Sequence, residues 1–227
     1  MTESPFYPAI VFVRSCRATI DAFYMAIRAI GQVYEPEVQL RHERTLCAQG
    51  VVALWSEIEA LIYDTLVIWL QYTPDAWLSK DLEGVTLSVA EFMVMTPEER
   101  CRSAIRQLDE RSRDRRKDRN KQRPGIGRFE LLLGAFGLGG KVDPGVRKTL
   151  FELWKVRNAL VHHRGTADAE LVGVAPEFGA GIVLDYIHFD RYVMATMQYG
   201  KCVADRITKK LGLPPLDDLA GESPPAP

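Results

Sequence analysis

Cysteine and histidine are scarce in this chain, at four of each in 227 residues, and neither type recurs at the close spacing that metal ligands need. No CxxC joins Cys16, Cys47, Cys101 or Cys202, which argues against a disulfide framework and for reduced, buried thiols in a cytoplasmic protein. The set His162, His163, His188 and Cys202 lacks the paired spacing of a structural zinc site, so no metal and no other cofactor is expected. Long apolar runs are missing as well. The most apolar stretch, residues 58–70, is broken by Glu59 and Asp64 and falls short of the roughly 20 residues that a membrane span requires. No basic segment precedes the apolar residues near the N-terminus, and that stretch stops at Arg14, unlike a signal peptide. The glycine-rich residues 134–140 are not followed by GK[ST] and have no strand before them, which excludes a phosphate loop of that type.

What is present reads as helix. Hydrophobic residues make up 47% of the chain and charged residues 26%, an ordinary balance for a globular protein with one substantial core. Ile10, Val13, Ile20, Phe23, Ile27 and Ile30 predict a first helix over about 8–34, and a longer one follows over about 38–72, ending at Thr73-Pro74-Asp75. Gly50 within it marks a bend or the close approach of another helix. Ser88 with Glu91 and Thr96-Pro97 with Glu99 are two capping-box signatures that open a short helix and then a long charged one. A short apolar helix over 127–137, a motif helix over about 144–164 and a last helix over about 190–211 complete the set. Residues 171–187 leave room for a short hairpin, with 183–187 as the candidate strand. The expected fold is therefore all-α, an antiparallel helical bundle in one domain over 1–212. Residues 213–227, rich in Pro, Asp and Gly, form an expected disordered tail.

The charged helix carries eleven Arg or Lys against four acids between Arg100 and Arg123, a local excess of +7 in a chain of net charge −1. That asymmetry lets a protein of modest isoelectric point show a basic stripe to a polyanion, and Arg111, Arg113, Arg115, Arg116, Lys117, Arg119 and Lys121 are the candidate RNA contacts. The plainer account is a solvated helix laced by i,i+4 ion pairs such as Asp109 with Arg113.

The most informative residues are Arg157-Asn158-Ala159-Leu160-Val161-His162-His163-Arg164-Gly165. They end the motif helix, whose start is set by Asp143 as N-cap and Pro144 in the first turn. At about 100° per residue Asn158 and His162 share a face, while Arg157 and His162 lie roughly 140° apart. A long arginine side chain, a distorted helix end or a second protomer must close that gap. Glu59 interrupts an apolar face of the long helix, between Trp55, Ile62, Tyr63 and Leu66, and needs a partner there; Arg157 or Asn158 is the candidate.

This run resembles the HEPN superfamily, whose signature is arginine, a polar residue, three variable residues and histidine; Arg157, Asn158 and His162 match it position for position. The likeness extends loosely over the helix order from about 40 to 211. It implies a small all-helical protein in which His162 and Arg157 are catalytic, Asn158 orients substrate or imidazole, and Glu59 and His163 have supporting roles. It further implies a homodimer through the motif helix, metal-independent RNA cleavage leaving a 2′,3′-cyclic phosphate, and a toxin–antitoxin or phage-defence setting with an antitoxin or defence partner. Other members of that superfamily are non-catalytic dimerisation or binding modules, so a module of that kind is the alternative.

Overall fold

A computed structural model describes residues 7–114 and 125–213. The described residues are all-α, with eight helices and no strand. They are α1 (Tyr7–Val33), α2 (Pro36–Tyr72), α3 (Val89–Val94), α4 (Pro97–Asp114), α5 (Gly127–Ala135), α6 (Pro144–His162), α7 (Ala169–Val174) and α8 (Tyr186–Leu211), with short 3-10 turns between some of them. No helix among these residues is long and apolar enough to cross a membrane.

The bundle is built around α2. Its C-terminal half is buried on nearly every side, from Leu54 through Ile58, Ile62 and Leu66 to Leu70, because α1, α4, α5, α6 and α8 all pack against it. The capping rules that placed the helix starts hold in detail. Ser88 and Glu91 form a reciprocal capping box at α3, and Thr96 and Glu99 exchange the same pair of hydrogen bonds at α4. The Asp143 carboxylate accepts from the Gly145 and Val146 amides to start α6, with Pro144 in the first turn. Gly50 proves to be a site of close approach. A Cβ there would sit 2.4 Å from the Phe189 ring of α8, which also lies against Phe23 of α1 with ring centroids 4.2 Å apart.

Three expectations need correction. The buried stripe of α1 runs through Phe12, Cys16 and Phe23, with Ile10 and Val13 exposed on its flanks. Residues 171–187 form no hairpin: α7 and a 3-10 turn occupy 169–178, and 181–185 has no regular structure before α8 begins. Alternation there is real, since Leu184 is buried and Val183 exposed, but α8 begins earlier than its apolar period suggests. Asp185 caps it by accepting from the His188 amide. Residues 115–124, expected to continue the charged helix, and the expected disordered tail from 214 lie outside the described residues.

Gly50→Ala should destabilise the fold by about 1–3 kcal/mol, because the Phe189 ring has nowhere to move without displacing Phe23. Urea unfolding followed by circular dichroism measures it. An unchanged midpoint would mean that the α2–α8 contact is loose.

Candidate functional site

The C-terminal end of α6 is closed by its own backbone. The His163 and Gly165 amides both donate to the Ala159 carbonyl, at 3.0 and 2.9 Å, and the Gly165 carbonyl accepts from Ile182. Gly165 takes the left-handed conformation expected of a helix stop, with φ of 79°, but Arg164 does so too, with φ of 52°. A non-glycine residue in that region costs on the order of 1 kcal/mol. The double turn leaves His162, His163 and Arg164 exposed around the helix end.

Here Arg157, Asn158 and His162 meet. The Arg157 Nη1 donates to Asn158 Oδ1 at 3.1 Å and stands 3.3 Å from His162 Nε2. The 140° separation on the helical wheel is thus closed within one protomer by the reach of the arginine side chain, and no second copy is needed to bring the cation to the imidazole. Since a guanidinium can only donate, Nε2 accepts in this contact and the ring proton belongs on Nδ1. The backbone side of Arg157 is sunk into the protein: its Nε is buried and has no hydrogen-bond partner among the described residues. A fixed cation therefore lies against the basic nitrogen of an exposed imidazole, an arrangement that can bind an oxyanion and accept a proton at one place.

A second cation, not singled out from the sequence, forms the wall. Lys155 is one turn before Asn158 and on the His162 face, and its ammonium holds Asp168 at 2.8 Å and Glu170 at 2.5 Å. Burial works against the Lys155 charge, but its hydrogen bonds to the two carboxylates outweigh this and hold its pKa above the usual lysine value. Asp168 also caps α7 by accepting from the Leu171 amide. The hydrogen bond from Lys155, with the Leu171 amide, keeps the Asp168 carboxyl below the usual aspartate range. The lysine thereby ties α7 and the 163–168 turn to α6. Lys155, Asn158, His163, Thr166 and Asp168 line a pocket of about 160 Å³, and His162, His163 and Arg164 border a wider hollow beside it. The signal for Lys155 was its i, i+7 spacing to His162.

Other expected residues lie elsewhere. Glu59 does not join the motif: its ion pair is with Arg128 of α5, at 3.8 Å, whose guanidinium also holds buried Asp109 and the Tyr63 hydroxyl. Asp109, expected on the solvated face of the charged helix, is instead the buried anchor of α4. Arg111 donates to the Glu83 carbonyl at 3.0 Å and packs beside Gly84, so it is tied to the loop before α3. Arg102 pairs with Glu98 and Asp64. Arg113 stands in the last turn of α4, while Arg115, Arg116, Lys117, Arg119 and Lys121 lie outside the described residues. His188 is held by Asp185, remote in sequence from the motif. Comparison with protein-family models, curated proteins and solved structures finds no match for this chain.

The Lys155–Asp168 tether has a pH signature. A carboxyl whose folded pKa is depressed stabilises the fold above its unfolded value and loses that contribution as pH falls through the folded one. Asp168→Asn should therefore be less stable than the parent at neutral pH, and the gap should shrink below the ordinary aspartate value of 3.8. Thermal unfolding of both proteins from pH 7 downward tests this; a gap that stays constant into strong acid would remove the ionic part of the tether.

Proposed function

We propose that this chain is a HEPN-type endoribonuclease that cleaves RNA without a metal ion and serves as a toxin or phage-defence effector. The observation that carries the reading is the 3.3 Å approach of Arg157 Nη1 to His162 Nε2 at the exposed end of α6. In the reaction, His162 takes the proton of a 2′-hydroxyl as O2′ bonds to phosphorus. The P–O5′ bond then breaks, a proton is delivered to the leaving 5′-oxygen, and a 2′,3′-cyclic phosphate remains. Arg157 neutralises charge that builds on the phosphoryl oxygens. Substrate must first replace Arg157 at Nε2, because that nitrogen is the base and the guanidinium occupies it at rest. The displaced guanidinium then turns to the phosphate, and the Asn158 amide, which also held Nη1, is freed to bind substrate or orient the imidazole.

One imidazole cannot hold the attacking and the leaving oxygen together, so a homodimer that apposes two α6 ends supplies the second. Val161, nearly half exposed beside the motif, offers an apolar contact for such pairing. An antitoxin or defence protein is the expected further partner. The second reading, a non-catalytic binding or dimerisation module, draws on the same geometry: Arg157 already satisfies Asn158 and His162 within the protomer.

Incubation of the purified chain with total RNA in EDTA separates the two. Cleavage by the parent should fall by about a hundredfold or more in His162→Ala and by a similar factor in Arg157→Ala, with unchanged circular dichroism. Undiminished cleavage by His162→Ala would sink the role given to the histidine. No cleavage by any form, with dimerisation lost in Arg157→Ala, would establish the module instead.

A further inference from the structure

The opposite end of α6 carries a second cationic feature that the motif does not use. The loop over 137–140 lies against the C-terminal half of α8, and between them runs a groove of about 780 Å³. Five cations and one carboxylate border it: Lys141 from the loop, and Lys201, Asp205, Arg206, Lys209 and Lys210 from α8. The seat is built rather than incidental. Glu130 of α5, whose side chain is only 7% exposed, accepts from the Gly140 amide at 3.2 Å, from the Tyr199 hydroxyl at 2.9 Å and from Arg206 Nη1 at 2.9 Å. Arg206 in turn donates to the Lys141 carbonyl at 3.2 Å. Glycine suits the loop for two reasons: a Cβ on Gly140 would meet Arg206 Nε at 2.6 Å, and Gly137 takes a positive φ of 72° beside Lys210.

Arg206 is neutralised by Glu130, and Lys201 stands 3.7 Å from Asp205. Lys141, Lys209 and Lys210 have no anionic partner among the described residues. Cations in the last turn of α8 are favoured by the helix dipole, which accounts for Lys209 and Lys210. It does not account for Lys141, which another segment brings to the same groove. All three are exposed and border one groove, so an anion seated there meets their charges together. The volume is that of a small-molecule site, which typically spans about 300–1,000 Å³.

We propose that this groove binds a phosphorylated small molecule of nucleotide size, with Lys141, Lys209 and Lys210 on the phosphates. The glycine loop is not a GK[ST] phosphate loop; side chains of α8 supply the charge, and the loop supplies the room. This is independent of the ribonuclease reading.

Titration calorimetry of the full chain with ATP, inorganic phosphate and a short oligouridylate tests it. ATP should bind saturably, with phosphate as a weak competitor. Affinity should fall at least about tenfold in Lys209→Glu/Lys210→Glu and in Lys141→Ala, as charge-assisted contacts are lost. Arg17→Glu, on the exposed face of α1, and His162→Ala should bind ATP as the parent does. Lys141→Ala keeps the test decisive if the double variant does not fold. Absent ATP binding, or ATP binding indifferent to these lysines, would overturn the proposal. So would oligouridylate binding that needs them while ATP does not bind, since that would make the groove a nucleic-acid track.

Discussion

Three buried carboxylates, each gripped by one arginine and one tyrosine hydroxyl, fix how the helices of this bundle stand against one another. Asp109 is held by Arg128 and Tyr63, joining α4, α5 and α2. Glu152 is held by Arg191 and Tyr192, joining α6 and α8. Glu130 is held by Arg206 and Tyr199, joining α5 and α8. Apolar packing along α2 supplies the bulk of the driving force, but apolar surfaces slide. A buried carboxylate that must keep a cation and a hydroxyl donor in place does not, because sliding would leave it desolvated and unpaired. Register in this protein is thus set by polar knots inside an apolar bundle.

That division explains what could be read in advance. Features governed by neighbours in sequence were legible: the Asp143–Pro144 start of α6, both capping boxes, the end of α2 before Pro74, and Gly50 as a close approach. Features governed by distant partners were not. Nothing local marks Tyr63, Asp109 and Arg128 as a unit, and Asp109 read as a surface residue because its helix is charged almost throughout. Glu59 was rightly suspected of needing a cation, yet several arginines were eligible and sequence offered no way to choose Arg128 over Arg157. The strand expected over 183–187 failed for a related reason. Its alternation was sound, but a strand requires another edge to pair with, and Asp185 as N-cap turned the chain into helix first.

The motif shows the same lesson at the scale of one side chain. The helical wheel places Cβ atoms, and by that measure Arg157 and His162 point apart. The wheel ignores that an arginine can reach around a helix end where the following turn leaves space, and here the double left-handed turn at Arg164 and Gly165 leaves it. Of the three ways the sequence left open to close that gap, the long arginine side chain is the one used. The first contact between cation and imidazole is thus made within one chain.

The two candidate sites occupy opposite ends of α6, which at 19 residues is about 28 Å long. A helix transmits a push along its axis only if it can move against its neighbours. For α6 the relevant neighbour is α8, which borders the glycine groove with its C-terminal half and meets Glu152 near its start. The Glu152–Arg191–Tyr192 knot crosses between the two helices midway along α6, so a sliding motion must pull the buried Glu152 carboxylate off its arginine and tyrosine before it reaches His162. An occupant of the groove is therefore felt at the motif only through rotation or bending about that knot, or through the α7 turn that Lys155 holds. With the knot intact, the two ends behave as separate sites on one rigid strut.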